Sequence, residues 1–144
     1  MSNLRPILLV EDNPKDLELT LAALEKCQLA NDIVTARDGE EALAYLYSQG
    51  PFADRPDGDP AVVLLDLKLP KIDGLEVLEK VKGDASLRHV PVVMLTANAL
   101  PEHVDAARLA GADRHLAKPI NAALLLTTLA ELADEAEGAR ADAA

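Results

Sequence analysis

Five polar side chains stand directly after short apolar runs, and their types suit one kind of chemistry. Glu11 and Asp12 follow Ile7–Val10, Asp66 follows Val62–Leu65, Thr96 follows Val92–Leu95, and Lys118, with Pro119 behind it, follows Arg114–Ala117. Carboxylates brought together repel one another, and at least one is driven towards protonation. A hard divalent cation removes that conflict, and Mg²⁺ takes oxygen ligands in an octahedron while keeping some of its waters. The Lys118 ammonium and the Thr96 hydroxyl add two groups that bind anionic oxygen. An oxyanion served at once by Mg²⁺, a lysine and a hydroxyl is most simply a phosphoryl group. No Ser, Cys or His stands at these positions in a triad-like arrangement, so a carboxylate is the candidate acceptor, carboxylates being established nucleophiles. Asp66, at the end of the run expected to form the central strand, is the choice. Taken singly, each residue has an ordinary structural reading: helix-cap acids, an acid before a turn, a strand-end hydroxyl, a solvated lysine. Their combination carries the functional one.

Such convergence needs a scaffold that brings the ends of several strands to one rim. The runs Ile7–Val10, Val62–Leu65 and Val92–Leu95 are rich in Val, Ile and Leu and end on a polar residue, the pattern of strands buried on both faces of a parallel sheet. Ile33–Ala36 and Arg114–Ala117 are weaker runs suited to the sheet edges. Helix signals fill the intervals. Asn13–Pro14 reads as a cap with proline at the first helical position, ahead of Leu17, Leu21 and Leu24 on one face. Asp38 with Glu41 predicts a capping box opening a helix to about Gln49, and Asp73 with Glu76 repeats the pattern before Leu75, Leu78 and Val81. Pro101 begins a fourth helix that Gly111 ends, and Asn121 caps a fifth carrying Leu125, Leu129 and Leu132. Strands alternating with helices predict an α/β fold, a doubly wound five-stranded parallel sheet of the flavodoxin-like kind in the order 2-1-3-4-5. Ligands in such sheets bind beyond the carboxyl ends of the strands, where the strand order reverses. One domain is expected over residues 1–137, with 138–144 as a frayed Ala-rich tail, and Gly50–Pro60 reads as a polar, broken loop.

Composition narrows the function classes. The 144 residues carry a net charge of −11, so DNA phosphate and anionic lipid are repelled and neither is expected as a direct partner. Aromatic residues make up only 2% of the chain, too few for a base-stacking platform. Cys27 stands alone, which excludes a disulfide framework and a cysteine zinc site, and its Leu and Ala neighbours favour packing. His89, His103 and His115 lack metal-ligand spacing. No GxGxxG or GxxxxGK[ST] supports nucleotide binding. The start carries no stretch long enough for a signal peptide or membrane span, so a cytoplasmic protein is expected.

The residues Glu11–Asp12, the run LLDLKLPKIDGLEVL around Asp66, MLTA around Thr96 and LAKP around Lys118 resemble the receiver domain of two-component response regulators, from about Pro6 to Leu132. The resemblance implies that Asp66 accepts a phosphoryl group from a sensor histidine kinase or a phosphotransfer protein. It implies that Glu11, Asp12, Asp66 and the backbone carbonyl of Lys68 hold Mg²⁺, that Thr96 is the switch hydroxyl and that Lys118 pairs with the acyl phosphate. It further implies a cis Lys118–Pro119 bond, tuning of acyl-phosphate hydrolysis by Lys68 and Asn98, and a homodimer through helix 4, strand 5 and helix 5. Leu109, Leu116 and Leu124–Leu126 are the candidate apolar patch, unless they are core.

Two features depart from the usual receiver. His115 stands where receivers usually carry Tyr or Phe, which modifies any aromatic switch, and the loop Gly50–Pro60 is long. That loop, the opening ILLVEDNPKD and the lack of room for an output module after Leu132 resemble stand-alone regulators paired with phytochrome-type kinases, acting by docking and not by turnover. Three rivals are weighed against this reading. An Mg²⁺-dependent aspartyl-phosphate hydrolase wants a second acid where Lys68 stands. A flavodoxin-like flavin module wants a phosphate cradle where Glu11–Asp12 would repel it. A phosphorylation-independent pseudo-receiver does not need the complete set of five residues.

Overall fold

A computed structural model describes residues 5–55, 58–97 and 100–143, with side chains through Glu135 in the last helix. Five parallel strands, β1 (Ile7–Val10), β2 (Ile33–Ala36), β3 (Val62–Asp66), β4 (Val92–Thr96) and β5 (Arg114–Ala117), form one sheet in the order β2-β1-β3-β4-β5. The helices are α1 (Pro14–Lys26), α2 (Gly39–Leu46), α3 (Gly74–Gly83), α4 (Pro101–Leu109) and α5 (Ala122–Ala143).

The period-2 alternation of the central strands divides the core in two. Leu8, Val10, Val63, Leu65, Val92 and Met94 pack with Ala42, Tyr45 and Leu46 of α2, Val77, Leu78 and Val81 of α3, and Ala107 of α4. Ile7, Leu9, Val62, Leu64, Val93 and Leu95 pack on the other face with Ala23 and Leu24 of α1, Cys27, and Leu125 and Leu132 of α5. Burial on both faces is why these runs are apolar throughout, each large aliphatic side chain contributing about 1.5–3 kcal/mol. The edge strands, each covered by one neighbour, read more weakly for the same reason.

The helix starts follow the sequence signals in most places. Asn13 Oδ1 accepts from the Lys15 and Asp16 amides, Asp38 Oδ1 from Glu41, and Asn121 Oδ1 from Leu124. Three local expectations are corrected. Asp73 makes no side-chain cap; the Gly74 amide donates instead to Leu67 O, because α3 starts hard against the end of β3. The helix α2 stops at Leu46, short of Gln49: Ser48 takes a positive φ of 53°, and Arg55 donates to the carbonyls of Tyr45 (2.6 Å) and Leu46 (3.3 Å). The expected polar loop therefore packs. Arg55 lies 4.5 Å over the Tyr45 ring, Phe52 meets that ring edge-on, and Pro60 is buried. At the end, α5 runs to Ala143.

Candidate functional site

The switch in winding direction falls between β1 and β3, and the registers place the chemistry there. Val10 pairs with Leu65, so Glu11 and Asp66 share the next row, and Asp66 pairs with Leu95. Thr96 pairs with Ala117 one row further on, and Lys118 follows. The strand alternation puts Glu11, Asp66 and Lys118 on the face that α1 and α5 cover. Asp66 and Thr96 are the last residues of β3 and β4, whereas Glu11 and Lys118 lie just past their strands. Backbone bonds extend the sheet past its formal ends: Glu11 N–H donates to Ala36 O (2.9 Å), Leu67 N–H to Leu95 O (3.0 Å) and Lys118 N–H to Thr96 O (2.8 Å). The Lys118–Pro119 bond is cis.

Gly74 lets α3 approach this rim. A Cβ there would sit 2.1 Å from Asp66 O and 2.7 Å from Leu67 O, well inside contact distance.

The Lys118 ammonium is the hub. It donates to Glu11 Oε1 and lies 3.2 Å from Asp66 Oδ2 and 3.3 Å from Asp16 Oδ2. Glu11, 1% exposed, is fixed at both oxygens, since Oε2 accepts from the Asn13 amide at 3.2 Å. Asp66 is 7% exposed. Burial first, and then the adjacent Glu11 carboxylate, push its pKa up to about 7, while Lys118 pulls the other way. Burial also works against the charge on Lys118, but Glu11 and Asp66 outweigh it and leave that pKa above its ordinary value.

Carboxylate oxygens of Glu11, Asp12 and Asp66 all lie within 4.8 Å of one another, a cluster able to hold a metal ion. An oxygen-only donor set suits a hard divalent cation. Part of the upward push on Asp66, after burial, comes from the Glu11 carboxylate, and such a cation relieves that repulsion. Thr96 is buried and Asp12 exposed, and Lys68 is exposed two residues past Asp66. Asn98 lies outside the described residues. Asp16 was not singled out in the sequence; the only signal was its place in the first turn after the Asn13 cap, which says nothing of a strand end about a hundred residues away. His115 is half-buried in β5 and its pKa is lowered by burial. Of the leucines in doubt, Leu116 and Leu125 are core, whereas Leu109 (85%), Leu124 and Leu126 are exposed.

Residues 7–130 match the response regulator receiver domain. The chain belongs to that family. It is 41% identical over 92 residues to the response regulator Rcp1 of Synechocystis, a stretch covering 64% of this chain and 61% of Rcp1. Among solved structures, the bacteriophytochrome response regulator AtBRR is 57% identical with a TM-score of 0.81, covering 89% of this receiver and 93% of AtBRR. The phosphorylated cyanobacterial phytochrome response regulator RcpA is 36% identical with a TM-score of 0.75, covering 88% and 89% of the two chains. An Mn²⁺-bound form of Rcp1, 35% identical, superposes with a TM-score of 0.74 over 87% of this chain and 88% of Rcp1. This receiver is thus related to phytochrome-associated regulators, and among its described residues no helix is long and apolar enough to cross a membrane.

Proposed function

We propose that residues 1–137 form one receiver domain working in the cytoplasm as a phosphorylation switch, in which Asp66 takes a phosphoryl group from the phosphohistidine of a sensor kinase, of the phytochrome type, or of a phosphotransfer protein. The observation that carries this reading is the meeting of Lys118 with Asp66 and Glu11 beside a carboxylate cluster. The likeness to the bacteriophytochrome regulator AtBRR and the phytochrome regulator RcpA supports the phytochrome association, and the likeness to Mn²⁺-bound Rcp1 supports a divalent ion, here Mg²⁺.

Glu11, Asp12, Asp66 and the Lys68 carbonyl would hold Mg²⁺, which supplies positive charge against the phosphoryl oxygens. An Asp66 carboxylate oxygen attacks phosphorus; the O–P bond forms as the N–P bond of the donor histidine breaks, and the imidazole takes the departing electron pair. Lys118 stabilises the phosphoryl charge. The Thr96 hydroxyl donates to a second phosphoryl oxygen, drawing the β4 end inward. That movement biases the surface of α4, β5 and α5, where Leu109, Leu124 and Leu126 offer an apolar face for a second copy. Output is by docking, without turnover of an external substrate or contact with DNA.

The test is incubation with a small-molecule phosphodonor with and without Mg²⁺, read by mass. Wild type gains the mass of one phosphoryl group only with Mg²⁺, and Asp66→Asn gains none. A wild-type protein that never gains it removes the reading. Intrinsic tryptophan quenching is not an option, because the chain has no Trp.

A further inference from the structure

We infer that Asp16 is a positioning residue for Lys118, the carboxylate that keeps the ammonium at the rim when Glu11 and Asp66 are engaged elsewhere. This rests on the phosphorylation switch proposed above.

An ammonium has three N–H donors, and at Lys118 three carboxylates from separate elements face it: Glu11 after β1, Asp66 at the end of β3 and Asp16 in the first turn of α1. Two of the three also belong to the cation cluster of Glu11, Asp12 and Asp66, and Asp16 does not. A cation in that cluster would take up charge from Glu11 and Asp66, and phosphorylation converts an Asp66 oxygen into the bridging oxygen of an acyl phosphate. Both events weaken the hold of those two residues on the lysine. The hold of Asp16 depends on neither.

Asp16 is also well placed to serve as the fixed end of the tether. Its amide donates to Asn13 Oδ1 (3.1 Å), and the Asn13 amide donates to Glu11 Oε2, so the turn that carries Asp16 is tied to the site's most buried acid. The Asp16 side chain is 36% exposed against 9% for Lys118, so its carboxylate closes the solvent side of a lysine otherwise enclosed. A lysine stem has four rotatable bonds and gives up much freedom when fixed, and a permanent partner removes part of that loss before the phosphoryl group arrives.

The experiment compares wild type, Asp16→Asn, Asp16→Glu, Lys118→Ala and the Asp16→Asn/Lys118→Ala double variant in Mg²⁺-dependent labelling by phosphoramidate, followed by mass. Asp16→Asn should lower the labelling rate about fivefold, the size of an ordinary contact coupling. The half-saturating Mg²⁺ should move by less than about twofold, Asp16 being outside the cation cluster. Asp16→Glu should recover part of the rate, and Asp16→Asn should add nothing once Lys118 is absent. If Lys118→Ala labels too slowly to measure, the ¹⁵Nζ resonance of Lys118 in the Mg²⁺-loaded, unphosphorylated protein gives the answer: Asp16→Asn should move it towards the position of a solvated lysine. A wild-type labelling rate in Asp16→Asn, an equal loss in both Lys118 backgrounds, or an unmoved resonance overturns the inference while leaving Asp66 as acceptor. A wild-type chain that takes no phosphoryl group overturns both.

Discussion

Lys118 Nζ lies 3.2 Å from Asp66 Oδ2, although one residue follows an edge strand and the other ends the central strand of the sheet. The contact matters to the folded state as well as to the chemistry, because both groups are buried and two more acids, Glu11 and Asp16, lean on the same ammonium. Breaking such a pair leaves charge with nothing to balance it.

Lys118→Met is therefore expected to destabilise the metal-free protein by about 3 kcal/mol at pH 8. The loss should shrink towards pH 5, where Asp66 picks up a proton, and added Mg²⁺ should restore part of it. Urea denaturation at the two pH values, with and without Mg²⁺, measures all three effects.

The raised pKa of Asp66 has its own pH signature. The group titrates at about 7 in the folded protein and near the ordinary carboxylate value, about 4, when unfolded. Between those values the native state binds a proton that the unfolded chain lacks. The contribution of Asp66 to stability therefore falls as pH rises through this window, and the penalty is complete above about pH 7. Asp66→Asn removes the penalty, so its gain over wild type should be larger at pH 8 than at pH 5, by on the order of 2 kcal/mol without metal. Mg²⁺ acts in the opposite sense, since it binds the ionised form: its stabilisation of wild type should grow from pH 5 to pH 8. Thermal melts across that range give both slopes.

Gly74→Ala should be the most damaging single-methyl change near the site. The new Cβ would fall 2.1 Å from Asp66 O, and the obstacle is backbone, which has nowhere to retreat. A loss of about 3 kcal/mol is expected, together with weaker divalent-ion binding as α3 is pushed off the rim. Chemical denaturation and a Mn²⁺ titration are the checks.

Arg55→Ala should unfasten the 50–60 segment from the end of α2. It removes the bonds to Tyr45 O, Leu46 O and Gly58 O and the contact with the Tyr45 ring. A cost of about 1–2 kcal/mol and faster proteolysis between residues 53 and 59 are expected. Arg55→Lys should not recover the loss, because a single ammonium cannot reproduce the planar fork.

Leu109→Ser and Leu124→Ser should leave stability within about 0.5 kcal/mol of wild type, since both side chains are exposed. If these leucines form the face for a second copy, the dimer dissociation constant should rise more than about tenfold, as expected for apolar groups at an interface. Sedimentation of wild type and variants, with and without a phosphoryl mimic, decides it.

Much of this protein could be read before its fold was known. The sequence carries the five strands, the helix starts at Pro14, Gly39 and Pro101, and the strand order, because burial on both faces forces unbroken Val, Ile and Leu runs, and a capping side chain or a proline at the first position marks where helices begin. It also placed Glu11, Asp12, Asp66, Thr96 and Lys118 at one rim, since a parallel doubly wound sheet leaves all its strand ends on the same side. Local chemistry misled at Asp73, where close packing of α3 on β3 replaced a side-chain cap, and at Gly50–Pro60, where an arginine made a polar-looking loop pack.

Tertiary structure alone decided who touches whom. The order of residues could not reveal that Asp16 meets Lys118, because that contact depends on how α1 lies across the sheet and not on any local pattern. Nor could it sort Leu116 and Leu125 into the core and Leu109, Leu124 and Leu126 onto the surface. Hydrophobicity states only that a side chain prefers burial. Which ones achieve it depends on the limited area two helices and a strand can cover.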